Sequence, residues 1–250
     1  MSIDSEDDLL ALRRVGALVA RALSAMEGAV APGMTTADVD DVGAGVLRAS
    51  GARSAPHLVY GFPGFNLISV NEEIVHGIPG RRRLQPGDLV KLDVTAELDG
   101  YIADGARTVA LAPSRPTARR LRDSARTAFT RALARVRAGQ LVSTIGREVE
   151  RSVAHDGFSV IRSLSGHGVG RTIHEPPSVP NYFDEHQLDV LTEGLVLTIE
   201  PLISARPCKV VEEADGWTLR THNRTLAAHF EETIVVTNAA PMIITSAAYA

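Results

Sequence analysis

Cysteine is almost missing from these 250 residues, with Cys208 standing alone. A single thiol cannot form an internal disulfide, so the fold rests on a hydrophobic core and fits a reducing compartment. Aromatic residues are scarce as well, at 4%, and the arginines clustered at 81–83 and 115–122 have none among them. With a formal net charge of −4, that pattern argues against a nucleic-acid or anionic-membrane partner and reads as solvated surface. There is no run of about 20 apolar residues to cross a bilayer. The opening MSIDSEDDLL is acidic where a secretion signal is basic and then apolar. These absences set the expectation of a cytoplasmic protein that binds neither nucleic acid nor membrane. What is present is ordinary globular composition, 44% hydrophobic and 22% charged, in a chain long enough for one large domain or two small ones.

Apolar residues at Leu9, Leu12, Val15, Val19, Leu23 and Met26 follow a 3–4 spacing and predict a helix over residues 5–31, stopped by Pro32-Gly33. Thr35 or Thr36 caps a second helix running to about Ser50 before Gly51. Residues 54–70 read as strand-like and punctuated by turns, and SVNEEIVHGIPG as a strand leading to His76. A second amphipathic helix pair follows over 117–137 and from Ser143 or Thr144, as caps, to Gly157. A shift of 106 positions lays Gly33 on Gly139 and Gly51 on Gly157, and a shift of 107 lays Asp93 on Glu200. A helix–helix–strands unit thus occurs twice, over about 5–112 and 117–240, and such copies pack around a pseudo-twofold axis with a site between them.

The first copy ends in KLDVTAELDGYIADGARTVA, whose alternation around Asp99-Gly100 predicts a β-hairpin. Each arm carries an acid, Asp93 and Asp104, that the fold-back brings level or one diagonal step apart. Glu200 closes an apolar strand in GLVLTIEPLI, and Glu231 sits in the apolar run from Phe230 to Val236. Ionised carboxylates in buried strands cost several kcal/mol, roughly, unless paired or bound to metal. The stretch Gly166-His167-Gly168-Val169-Gly170 lacks the spacing of a phosphate loop, and its glycines are read as clearing space so that an exposed His167 can reach a ligand. Four carboxylates and a neutral imidazole balance two divalent cations, and their oxygen-rich donors suit Mn, Fe, Co or Zn rather than a thiolate site.

SVNEEIVHGIP, the hairpin from Asp93 to Asp104, GHGVG-RTI-HE, TIEP and the glutamate of HFEETIVVT follow the motif order of type I methionine aminopeptidases, which the whole chain resembles. The resemblance implies the α/β pita-bread fold, a pseudo-symmetric packing of helices on a curved, mainly antiparallel sheet, as a single catalytic domain over 1–250. It implies that Asp93, Asp104, His167, Glu200 and Glu231 bind two divalent ions. It implies further that Glu200 is the general base, that His76 and His174 face substrate, and that Phe62 and Trp217 line a methionine pocket. The substrates implied are N-termini of nascent chains whose second residue is small, met near the ribosome by a monomeric enzyme. Only 25 residues separate His174 from Glu200, which leaves no room for the type II insertion. Leu67, Val75, Leu164 and Ile173 depart from the family pattern around the pocket. Two other readings compete: a proline-type aminopeptidase or dipeptidase with the same ligands, and a non-catalytic peptide-binding module, which would be expected to have lost ligands.

Overall fold

Two helix pairs cover a sheet whose inner strands carry acids on the opposite face. In the computed structural model, which describes residues 1–246 and 248, the chain begins with α1 (Glu6–Ala29) and α2 (Thr36–Ala49). Ser5 caps α1 by accepting from the Asp8 amide, and Thr35 with Asp38 forms a reciprocal capping box on α2. Then come β1 (Arg53–Ser54), α3 (Ala55–Tyr60), β2 (Leu67–Val70), β3 (Glu73–Val75) and the long hairpin of β4 (Leu89–Leu98) and β5 (Tyr101–Ala110). The second helix pair is α4 (Pro116–Leu133) and α5 (Ser143–His155). It is followed by β6 (Ser159–Val160), β7 (Ser165–Gly168), β8 (Glu175–Pro180), β9 (Val196–Ile199) and β10 (Leu202–Ser204). The last strands are β11 (Val210–Glu212), β12 (Leu219–Thr221), β13 (Ala227–His229), β14 (Glu231–Val235) and β15 (Met242–Ile243).

Among the described residues every strand pair is antiparallel. The main sheet has nine strands in the order β1-β4-β5-β14-β9-β7-β8, with β2 on β4 and β15 on β14. Among the described residues, two three-stranded sheets, β13-β10-β6 and β11-β12-β3, complete the β structure. Strand alternation then decides which side chains meet. On β4, Val90, Leu92 and Val94 pack with Val15, Val19, Leu23 and Met26 of α1 and with Val39 and Leu47 of α2. Lys91, Asp93 and Thr95 point the other way, yet they too are buried. Leu197, Ile199 and Ile234 form the matching core with Leu121, Phe129, Val149 and Val153 of α4 and α5. At the hairpin tip Asp99 and Gly100 have φ of 53° and 82°, the two left-handed residues of the turn that fits a twisted two-stranded ribbon.

Three local expectations are corrected. Residues 55–60 form a helix, not a strand: Ser54 accepts from the His57 amide, Pro56 lies in the first turn, and Gly61 closes it at φ 73°. Those are the start and stop signals of a short helix, outweighed in the sequence by Tyr60 and the flanking Phe62 and Phe65. Neither Ser143 nor Thr144 caps α5; Val142 occupies that position without a side-chain bond, and the Thr144 hydroxyl donates to the Leu141 carbonyl at 2.6 Å. The helix predicted over 117–137 is instead Pro116–Leu133.

Candidate active site

The register of the hairpin sets the first pair of acids. Asp93 lies opposite Ala106, and Asp104 opposite Thr95, so the two carboxylates are diagonal neighbours on one face. Glu231 also pairs with Ala106, from the other side of β5. The row Asp93–Ala106–Glu231 therefore crosses three strands with only a methyl between its acids. Glu200 follows the end of β9, where Thr198 donates to its Oε1 at 2.9 Å and Asn181 donates to its backbone carbonyl at 3.0 Å. Thr198 also accepts from the His167 amide at 3.1 Å, tying β7 to the same carboxylate. Thr95 donates to Asp104 at 2.8 Å.

All four carboxylates are at least nine-tenths buried, and each is pushed above the usual carboxylate range. Burial is the largest cause throughout, since it disfavours the charged form. The anionic neighbours add to it for Asp93, Glu200 and Glu231, whereas the Thr95 hydrogen bond restrains Asp104 at about 7.

His167 is not the exposed residue that its glycine neighbours suggest. Its side chain is 12% exposed, and burial lowers its pKa to about 4, which keeps the ring neutral. The flanking glycines have another purpose. A Cβ on Gly166 would sit 2.6 Å from the Thr198 carbonyl oxygen, and one on Gly168 would collide with the Pro176 carbonyl. They let β7 press between β8 and β9, and the imidazole is carried inward with the strand. His76 directly follows β3 and lies in the left-handed region at φ 61°, a costly backbone for a residue other than glycine. Burial and the neighbouring His174 lower its pKa to about 4. His174 bonds through Nδ1 to the Tyr60 hydroxyl at 2.6 Å, and its ring centroid lies 4.3 Å from that of His167. Phe62 is fully buried and meets Trp217 edge-on, with centroids 5.2 Å apart.

One cleft of about 170 Å³ is lined by all nine residues singled out in the sequence: Phe62, His76, Asp93, Asp104, His167, His174, Glu200, Trp217 and Glu231. Leu67, Val75, Leu164 and Ile173, the departures from the family pattern, line it too. Sequence reasoning missed Tyr60, Thr198 and above all His229, which is 1% exposed at the end of β13. The spacing His229-x-Glu231 was the available signal, because in a sequence read as one continuous strand alternate residues share a face, although the strand breaks between β13 and β14 at Phe230.

The chain matches the description of metallopeptidase family M24 over residues 11–238. It belongs to that family. The methionine aminopeptidase 2 of Bacillus subtilis is 38% identical over 247 residues, spanning 98% of this chain and 99% of the relative. The crystal structure of a methionine aminopeptidase from Thermotoga maritima superposes with a TM-score of 0.95 at 32% identity, covering 98% of this chain and 100% of that one. A prolidase from Pyrococcus furiosus, at 20% identity and a TM-score of 0.79, has the same fold over 98% of this chain and 65% of its own. The resemblance read from the motifs is borne out.

The residues of this M24 site fit a divalent ion. Donor atoms of Asp104, His167 and Glu231 lie within 4.8 Å of one another, as do those of Asp93, His229 and Glu231. Glu231 is common to both sets, and its Oε1 is buried without a hydrogen-bond partner among the described residues. Four carboxylates forced together at the cost of their ionisation recover it when a cation sits between them.

Proposed function

We propose that this chain is a methionyl aminopeptidase that binds two divalent ions through Asp93, Asp104, His167, Glu200 and Glu231, with Co, Mn, Fe or Zn as suitable metals. It removes the N-terminal methionine of nascent proteins when the following residue is small. The observation that carries the reading is the sharing of one cleft by four buried carboxylates and an apolar slot walled by Phe62 and Trp217. Relatives of the same length that are named for this activity support it. When bound, the ions lower the pKa of water and polarise a carbonyl oxygen, so that a nucleophile is available at neutral pH.

The chain's own residues do the rest. Phe62 and Trp217 hold an unbranched thioether side chain, which adapts to an irregular slot and makes sulfur–aromatic contacts. Glu200, steadied by Thr198, takes the proton from the attacking water as its oxygen bonds to the scissile carbonyl carbon. The proton passes to the leaving peptide nitrogen as the carbon–nitrogen bond breaks, giving free methionine and a shortened chain. His174 is held by Tyr60 at Nδ1, which leaves Nε2 to donate to the carbonyl oxygen as negative charge develops there. His76 contacts the peptide nitrogen of the substrate. The enzyme is read as one catalytic domain of two related halves, a cytoplasmic monomer meeting its substrates as they leave the ribosome.

The test is a panel of tripeptides varied at the first and second positions with metal supplied. Met-Ala-Ser should be cut well, with Leu-Ala-Ser and Met-Leu-Ser cut poorly. Comparable kcat/KM for the leucine-first and methionine-first peptides removes the methionine assignment, and cleavage of Met-Leu-Ser at the Met-Ala-Ser rate removes the small-residue rule.

A further inference from the structure

The five expected ligands leave one polar side chain of the site unexplained. His229 ends β13 and is 1% exposed, yet neither ring nitrogen has a hydrogen-bond partner among the described residues. Its backbone is clamped on both sides by one hydroxyl: Thr108 of β5 accepts from the His229 amide at 3.0 Å and donates to its carbonyl at 2.7 Å. That clamp and the pairing of His229 with Leu202 of β10 fix where the residue sits. From there Nε2 lies 3.5 Å from Glu231 Oε2 and 3.8 Å from Glu200 Oε2.

Those separations are too long for good hydrogen bonds, which cluster near about 2.9 Å. The 3.5 Å separation from Glu231 comes close to that of two donors of one cation, whereas the 3.8 Å separation from Glu200 is longer. Ligand atoms about 2.1 Å from an ion, at angles of about 90–110°, stand about 3.0–3.4 Å apart. His167 offers the comparison within the same cleft, with its Nε2 at 3.4 Å from Glu200 Oε1. The two imidazoles thus approach a glutamate to nearly the same distance, 3.5 Å for His229 and 3.4 Å for His167, and Glu231 completes a three-donor set with each of them.

We propose that His229 is itself a metal ligand, its Nε2 joining Asp93 and Glu231 around one ion as His167 joins Asp104 and Glu231 around the other. The proposal rests on the reading of the cleft as a two-ion centre and adds a sixth protein ligand to it. Each ion then receives one nitrogen and a set of carboxylate oxygens. Nitrogen donors raise affinity for Co and Zn relative to Mn, so the site gains preference for the former pair.

The test uses the full chain loaded with two equivalents of Co(II). In water, each coordinated imidazole contributes one solvent-exchangeable N–H proton signal displaced far outside the normal NMR range by the paramagnetic ion. The wild-type protein should show two such signals. His229→Gln should lose one and His167→Gln the other. Calorimetric titration of His229→Gln with Co(II) should show one of the two binding events weakened by more than about 100-fold, beyond the 10–100-fold that loss of an outer partner of a ligand costs. A single displaced signal in the wild type, still present in His229→Gln, overturns the proposal while leaving the metal centre in place. Failure of the wild-type protein to bind cobalt at all overturns the two-ion reading as well. A single displaced signal in the wild type overturns the proposal however the variants fold, and retention of both signals in His229→Gln overturns it as well.

Discussion

Thr198→Val replaces one hydroxyl by a methyl of nearly the same shape, at a fully buried position. The hydroxyl serves two partners, donating to Glu200 Oε1 at 2.9 Å and accepting from the His167 amide at 3.1 Å. A hydrogen bond to a charged group contributes about 1.5–3 kcal/mol, and a buried amide left without an acceptor costs about 1–3 kcal/mol. The two losses share one atom and do not simply add, so about 2–3 kcal/mol is expected in the metal-loaded protein. For a domain of this size, about 1 kcal/mol moves Tm by about 2–4 °C, which places the drop near 4–12 °C. The functional effect should be distinct, because Thr198 orients one proposed metal ligand, Glu200, and fixes the strand of another, His167. Loss of such an outer partner costs about 10–100-fold in metal affinity or activity. Differential scanning calorimetry, metal titration and kcat/KM on Met-Ala-Ser measure the three effects. A variant that melts several degrees lower yet keeps wild-type metal affinity and kcat/KM would mean that the hydroxyl supports only the fold, and the account of the Thr198–Glu200–His167 link would be wrong.

Glu200→Gln should fold and lose about 10²–10⁴-fold in kcat, the range for removal of a general base, whereas retention of more than about a tenth contradicts that role. His174→Ala should keep its metal by elemental analysis and lose kcat steeply with a smaller change in KM, while His167→Ala should weaken metal binding itself; equal metal loss in both would erase the division between ligand and substrate-facing histidines. The metal-free protein should lose stability as pH rises above 6.5, the ordinary histidine value. Asp93, Asp104, Glu200 and Glu231 have raised pKa values, with Asp104 at about 7, so the stability they contribute is complete below the usual carboxylate range and is lost as pH rises through their folded values. His76 and His167 at about 4, and His229 at about 3, act oppositely: their contribution is complete above 6.5 and is lost as pH falls through those values. The two sets offset each other at mildly acidic pH. Above it the four carboxylates, at up to about 1.4 kcal/mol per pH unit for each proton given up, are opposed by the single buried Lys91, whose pKa burial lowers to about 7 and which adds stability as pH rises from there toward its usual 10.5. Urea midpoints at neutral and at mildly alkaline pH, with and without bound metal, check this; a metal-free midpoint that rises with pH contradicts it.

The hairpin was legible in the sequence because two independent signals agreed, the Asp99-Gly100 turn and the alternation on both arms, and they placed Asp93 and Asp104 within a diagonal step. Glu200, just past β9, and Glu231 of β14 were legible for a different reason: a carboxylate in or closing an otherwise apolar strand is costly enough to need an explanation. His167 was found for an incomplete reason. Its glycines reflect the crowding of β7 between two neighbouring strands, a tertiary fact that local sequence does not carry. α3 was misread because Ser54, Pro56 and Gly61 spell a helix only six residues long, too short for apolar periodicity to support. His229 escaped notice because it lies just before the apolar run that begins at Phe230, where a lone histidine needs no special explanation until the fold buries it. Its clamp on Thr108 joins residues 121 positions apart, beyond any local reading.

The most direct test of the central claim is metal dependence of methionine release in one titration. The protein is stripped with chelator, divalent ion is returned in known equivalents, and free methionine from Met-Ala-Ser is measured at each step. The account predicts no turnover in the stripped protein and recovery that saturates by two equivalents, with Glu200→Gln binding metal but remaining nearly inactive throughout. Methionine release from the fully stripped protein, or no release from the protein loaded with two ions, would contradict it.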